Sequence, residues 1–133
     1  MGLADKIAKL RRFLVENPAF AGVPVAIIGG RPVTLREAVE MLERGEKVYE
    51  VIQALNRFGL DPNEEELWIL AEKFWESVAA ARPDIRVYVL GGLVPAMSPA
   101  EALEHIRARD DVGRMLVKSY SSMLRFVRSR IGA

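Results

Sequence analysis

Cysteine is absent from this chain of 133 residues, and histidine occurs only once, at His105. Without cysteine the protein has no disulfide framework, thiol nucleophile or thiolate metal site, and a single histidine excludes a metal site built from several. No apolar run approaches the ~20 residues of a membrane-spanning helix, and charges interrupt the first segment, where a signal peptide would be apolar. We therefore expect a soluble protein of the cytoplasm or of a particle.

Glutamine, threonine and asparagine are also scarce, and Gln53 and Thr34 are the only residues of their types. Arginine, glutamate, alanine, valine and leucine are abundant. A low content of heat-sensitive side chains together with abundant charge is typical of thermophilic proteins, although a GC-rich genome leaves a similar composition. Half of the residues are hydrophobic, which is enough to bury a core. The length suits one domain or two small intertwined halves, and we predict a single domain of residues 1–133.

One pattern occurs twice in the chain, as "PVAIIGGRPVTLREAV" and as "RVYVLGGLVPAMSPAEAL". Each copy has a short apolar run, a Gly-Gly pair, a proline, and a hydroxyl residue with a glutamate three positions later. Thr34 with Glu37, and Ser98 with Glu101, have the spacing of a capping box at the start of a helix. The same capping signal therefore recurs at a shift of 64 residues and indicates an internal repeat.

The apolar periodicity predicts a mainly α fold, a bundle of about six helices built from two pseudo-repeats, with two short extended segments at the Gly-Gly turns. The pseudo-repeats cover about 3–58 and about 62–131 of the single domain. Helices are expected over about 3–16, 34–45, 46–58, 62–81, 98–108 and 110–130. Before the fourth helix, Gly59 suits a C-cap position and Asp61 an N-cap. The extended segments either pair with each other as a ribbon or are irregular.

Charge is segregated along the chain although the net charge is only +1. Residues 1–36 carry six basic and two acidic side chains, residues 37–104 six and fourteen, and residues 105–133 seven and two. Basic ends that flank an acidic middle are typical of a chain that binds a polyanion, or of subunits that pair end to middle. The alternative is that the blocks neutralise one another inside one fold.

Candidate catalytic groups are few. His105 follows Glu101 by four residues on a predicted helix, which is the arrangement of an ordinary surface contact. The acidic runs at 63–66 and 110–111 are accounted for as helix starts. Neither Gly-Gly turn has the spacing of a phosphate-binding loop or a dinucleotide fingerprint. We therefore expect a non-enzymatic protein without a cofactor, a metal site or a small-molecule substrate.

The last helix, within "DDVGRMLVKSYSSMLRFVRSRIGA", is predicted to have an apolar and a basic side. At about 100° per residue, roughly a third of its circumference holds Val112, Leu116, Ser119, Tyr120, Met123, Val127 and Ile131. The opposite side holds Arg114, Lys118, Arg125 and Arg128, and the first helix adds Lys6, Lys9 and Arg12. No aromatic residue lies on the basic side, so these seven cations predict contacts to a phosphate backbone rather than base stacking. The alternative is an ordinary solvated face.

Two segments, "NEEELWILAEKFWESVAAARPDIRVYV" and "SPAEALEHIRARDDVGRMLVKSYSSMLRF", resemble the major coat proteins of rod-shaped and filamentous viruses of hyperthermophilic archaea. They cover roughly the C-terminal half of the chain. The resemblance implies a small helical subunit in a virion nucleocapsid, assembled with copies of itself or a paralogous subunit around duplex DNA held in A-form. The seven cations are then the candidates that face phosphate, chosen by their charge because no family motif assigns them. The alternative is a small cytosolic helical interaction module of a thermophile, a monomer or a dimer, that binds an acidic protein.

Overall fold

The structure, a computed structural model, describes residues 2–55, 63–88 and 95–131. Over these ranges the chain forms α1 (Leu3–Glu16), α2 (Leu35–Glu43), α3 (Val48–Leu55), α4 (Glu64–Ala81), α5 (Pro99–Ala108) and α6 (Asp111–Ile131). A 3-10 turn (Pro18–Phe20) precedes two antiparallel strands, β1 (Pro24–Ile28) and β2 (Arg31–Thr34). The predicted mainly α class with six helices is confirmed over the described ranges. No helix in these ranges is both long enough and apolar enough to span a bilayer.

The chain divides into two compact units. The first comprises Met1–Asp61 and Leu124–Ala133, and the second comprises Pro62–Met123. Helix α6 therefore contributes its last eight residues to the first unit and the rest to the second. The two pseudo-repeats, in contrast, place the whole of the last helix in the second copy.

Each unit has its own apolar core. In the first unit the largest fully buried side chains come from α1, β1, α2, α3 and the end of α6: Leu10, Val25, Leu35, Val39, Leu42, Val51, Leu55, Leu124, Val127 and Ile131. In the second unit the buried side chains come from α4, α5 and the first part of α6: Trp68, Leu70, Ala71, Ala102, Ile106, Leu116, Val117 and Tyr120. Burial of these stripes, rather than helix propensity, supplies most of the stability of such short helices.

The first Gly-Gly pair forms the turn of a hairpin. Gly29 and Gly30 both have positive φ, 60° and 78°, as the two central residues of a type I′ turn require. Ile28 pairs with Arg31 across the turn, and Ala26 pairs with Val33 further along. The first extended segment thus pairs with the residues that follow its own turn. The sequence predicted either pairing with the second extended segment or an irregular segment. In the second copy Val87 forms a single bridge with Met97, and the predicted turn at Gly91 and Gly92 falls outside the described residues.

Both predicted capping boxes are confirmed. The Thr34 hydroxyl accepts the Glu37 N–H at 3.1 Å, and the Glu37 carboxylate accepts the Thr34 N–H at 3.3 Å. Ser98 and Glu101 make the same two hydrogen bonds, each at 3.1 Å. The hydrogen bonds from Ser98 lower the pKa of the Glu101 carboxyl group. Helices α2 and α5 therefore begin with the same local chemistry.

Helix α4 begins two residues later than the sequence predicted. Its N-cap is Asn63, whose side-chain oxygen accepts the Glu66 N–H at 2.8 Å. Asp61 and Asn63 are both of residue types favoured at the N-cap, and the prediction from the sequence used the earlier of the two. Asp61, like Gly59, lies outside the described residues. Helix α6 begins as predicted, with the Asp110 carboxylate accepting the Gly113 N–H at 2.8 Å.

Candidate nucleic-acid interface

The buried side of α6 differs from the one predicted. Its buried residues with side chains are Leu116, Val117, Tyr120, Leu124, Val127, Arg128 and Ile131. The centre of this set lies about 60° around the helix from the centre of the predicted apolar side. Ser119, expected inside, is exposed, and Arg128, expected outside, is buried.

Arg128 is therefore a correction to the predicted basic side. Its side chain is 6% exposed, and Nη2 donates a hydrogen bond to the backbone oxygen of Val25 at 2.9 Å. Val25 lies in β1, so the guanidinium joins the end of α6 to the hairpin within the first unit. A buried cation held on a backbone carbonyl is a structural group, and Arg128 leaves the set of phosphate contacts.

Lys6 is a second correction. It is 8% exposed, and its ammonium donates to the backbone oxygen of Ile131 at 3.0 Å. Ile131 is the last residue of α6, where a helix has carbonyl groups without partners and the negative end of its dipole. Burial lowers the pKa of Lys6, and nearby Lys9 lowers it further. Lys6 thus caps the C-terminal end of α6. The prediction that it faces solvent and contacts phosphate is wrong.

Three of the four predicted cations of α6 remain exposed on one side of the helix: Arg114, Lys118 and Arg125. We call this set the basic row. Its first and last members are eleven positions apart, or ~16 Å at 1.5 Å per residue. Arg114 bonds to Asp111 at 3.1 Å, but both partners are largely exposed and such pairs contribute little. Asp111 is the only acidic residue in α6.

The two remaining predicted cations of α1 line a groove in the first unit. The groove has a volume of about 440 Å³ and is lined by Lys9, Arg12, Phe13, Glu16, Asn17, Phe126 and Arg130. Arg130 was not among the predicted contacts, because the helical wheel placed it beside Val112 on the apolar side. Its guanidinium carbon lies 5.2 Å from the centre of the Phe126 ring. Phe126 and Arg130 are four residues apart on a helix, and this spacing could have predicted their contact from the sequence.

Part of the segregated charge is neutralised inside each unit. In the first unit Arg11 pairs with Glu43. In the second, Arg109 pairs with Glu65 at 2.7 Å, and Arg107 reaches Glu72 at 3.0 Å. These bonds join basic and acidic blocks of one chain, which is one of the alternatives that the sequence left open. Hydrogen bonds from the arginines lower the pKa values of Glu43 and Glu65.

His105 takes part in a helix junction. Its Nδ1 lies 2.6 Å from the Asp110 carboxylate, rather than contacting Glu101 as the helical spacing allowed. The Gly113 N–H and then His105 lower the pKa of Asp110. Within the described ranges, no three histidine or carboxylate side chains are grouped to hold a metal ion.

The structure defines a mainly helical protein of two compact units, with a basic row on α6 and a basic groove in the first unit. No model of a protein family, no curated protein and no solved structure matches the chain. Its function is therefore inferred from these surfaces and from the sequence.

Proposed function

We propose that this chain is a non-enzymatic structural subunit that binds the phosphate backbone of duplex DNA. Copies of the chain, or a paralogous subunit, would assemble along the duplex as in a helical viral nucleocapsid. The observation that carries the proposal is the basic row, in which Arg114, Lys118 and Arg125 share one exposed side of a helix that is anchored by its other side.

The spacing of the basic row suits a chain of phosphates. One strand of duplex DNA carries a phosphate every ~3.4 Å along the axis, so ~16 Å of helix passes roughly five of them. Three flexible cations can each reach a phosphate over that length without reading a base. Contacts of this kind position a protein on DNA and carry no sequence information. With a net charge of only +1, one subunit binds weakly, and affinity would come from many subunits on one duplex.

Exposed aromatic residues support self-association. Tyr49 is 72% exposed in the first unit, and Tyr88 is 76% exposed in the second. Tyrosine is enriched in protein interfaces, because its ring supplies contact area while its hydroxyl stays hydrogen-bonded. These two residues offer each unit a contact that does not use the basic row.

The basic row is tested by replacing its three cations with glutamine, as Arg114→Gln, Lys118→Gln and Arg125→Gln together. We expect weaker binding to duplex DNA and a salt dependence of log K that is shallower by about 2 to 3, because each lost phosphate contact removes ~0.9 from the slope. The matched control removes three exposed cations elsewhere, Arg36, Lys73 and Arg82, with the same change in net charge.

Equal losses in the two variants would show that only net charge matters and would contradict the role of the basic row. Unchanged binding in the row variant would contradict it as well. If the wild-type chain binds an acidic protein and not duplex DNA, the interaction-module alternative is correct and the proposal is wrong. Circular dichroism checks that both variants fold.

A further inference from the structure

The groove of the first unit collects more positive charge than its own carboxylate neutralises. Three of its lining residues are cations, Lys9, Arg12 and Arg130, and one is an acid, Glu16. Arg12 and Arg130 are exposed, and among the described residues no carboxylate lies within ion-pair distance of either. Arg12 and Arg130 therefore outnumber Glu16, the one carboxylate that lines the groove.

Arg130 is held in place by an aromatic chain. Its guanidinium lies over the Phe126 ring at 5.2 Å, and that ring lies 6.0 Å from Phe20. Phe20 in turn stacks on Phe13, which is 7% exposed and belongs to the core. A guanidinium laid on a ring keeps its N–H edge available to donate two parallel hydrogen bonds. The side chain is thus oriented before a ligand arrives, which reduces the entropy cost of binding.

The ligand chemistry follows from the donors. Arginine forks fit the oxygens of phosphate and of carboxylate, but a carboxylate has only two oxygens, whereas a phosphate has enough acceptor atoms for both arginines. A volume of about 440 Å³ lies within the ~300–1,000 Å³ typical of ligand sites, so a phosphate with its attached group has room.

We propose that this groove is a phosphate-binding site in which Arg12 and Arg130 bind the phosphate oxygens and Phe126 is a positioning residue for Arg130. The phosphate chemistry stands without the proposed function. Only the assignment of the phosphate to a DNA backbone rests on it, and in that case the groove is a second phosphate contact beside the basic row.

The site is tested by calorimetric titration of the full chain with pyrophosphate. Arg130→Lys keeps the charge but loses the planar fork, and we expect roughly tenfold weaker binding. Arg36→Lys, the same change at an exposed arginine of the first unit outside both the groove and the basic row, should leave pyrophosphate affinity unchanged. Phe126→Leu keeps an apolar side chain but removes the ring, and we expect a loss of about 2- to 5-fold. Phe126→Tyr should restore binding, which a purely structural role of the side chain would not require.

A duplex arm identifies the source of the phosphate. If Arg130→Lys and Arg12→Gln together weaken pyrophosphate binding and make the salt slope for duplex DNA shallower by about 1, the phosphate is that of the backbone. If they weaken pyrophosphate binding and leave the DNA slope unchanged, the site serves a free phosphorylated ligand. Undetectable pyrophosphate binding by the wild-type chain, or equal binding by wild type and the groove variants, overturns the site. The glutamine variant of the basic row should keep pyrophosphate binding, so failure of one proposal is distinguished from failure of the other.

Discussion

At the scale of single residues, Gly113 decides how closely α6 approaches α5 in the second unit. A methyl group at this position would overlap the backbone oxygen of His105 and lie 2.9 Å from its carbonyl carbon. Because these are backbone atoms, they can move away only if the helix junction itself shifts. We expect Gly113→Ala to destabilise the protein by about 1–3 kcal/mol, the usual cost of overpacking, measured by chemical denaturation.

The matched control is Gly22→Ala, which introduces the same methyl group with no atom within 4 Å. An alanine there should cost nothing and can stabilise slightly, by restricting the unfolded chain. If the two variants unfold at the same denaturant concentration, the close approach at Gly113 does not constrain the junction.

Lys6 and Arg128 show that residue type and helical spacing do not determine whether a long cation is buried. Both are long cations that a helical wheel assigns to water, yet both are buried and donate to backbone carbonyls of the first unit. Their partners, Ile131 and Val25, are 125 and 103 positions away in the chain. Burial of such a side chain depends on an acceptor brought close by tertiary folding, and no local spacing encodes that acceptor.

At the scale of elements, the two capping boxes make parallel contributions to α2 and α5. Thr34→Ala and Ser98→Ala each remove the acceptor of one helix N–H, and each should cost about 1 kcal/mol. The exchanges Thr34→Ser and Ser98→Thr keep the acceptor and should cost much less. Denaturation measures the cost, and hydrogen exchange of the first turns of α2 and α5 locates it. If Thr34→Ala lowers the free energy of unfolding and Ser98→Ala leaves it unchanged, the two repeats are not equivalent.

The second box also has a pH dependence. Since hydrogen bonds from Ser98 lower the pKa of Glu101 below its ordinary 4.5, the carboxylate form stabilises the folded state. That stabilisation is present above pH 4.5 and is lost as the pH falls through the lowered pKa. The cost of Glu101→Ala, which removes the carboxylate that accepts the Ser98 N–H, should therefore shrink in acid when it is measured by chemical denaturation.

The elements that the sequence predicted best are those with local signals. The boxes at Thr34 and Ser98 and the end of α2 near Gly45 depend on residues within a few positions of one another. The rotation of α6 was not predictable in this way. Its apolar residues spread over more than half of the helix circumference, and burial of Leu124 and Val117 rather than Ser119 depends on what packs against them.

At the scale of the whole molecule, the segregated charge serves two purposes at once. Ion pairs such as Arg109 with Glu65 use part of it within a unit, where exposed pairs add little stability. The basic row and the groove hold cations from both ends of the sequence on exposed surfaces. The sequence predicted most of these cations by charge alone. It missed Arg130, whose position depends on the same rotation of α6 that buried Arg128.

The exposed tyrosines allow the proposed assembly along DNA to be tested separately from the proposed binding to DNA. The double variant Tyr49→Ser, Tyr88→Ser removes two rings that are more than 70% exposed, so folding and the basic surfaces should be unchanged. On a duplex of about one helical turn, roughly 10 base pairs, where few subunits fit, we expect wild-type affinity. On a duplex of about ten turns we expect cooperative binding by the wild-type chain and a loss of that cooperativity in the variant, because neighbouring subunits no longer gain contact area.

Titration followed by light scattering measures affinity and cooperativity on both duplexes. The control is the double variant Tyr49→Phe, Tyr88→Phe, which keeps the rings. A wild-type chain that binds the long duplex without cooperativity and without forming larger particles would contradict the structural-subunit proposal, even if the basic row proved to bind phosphate.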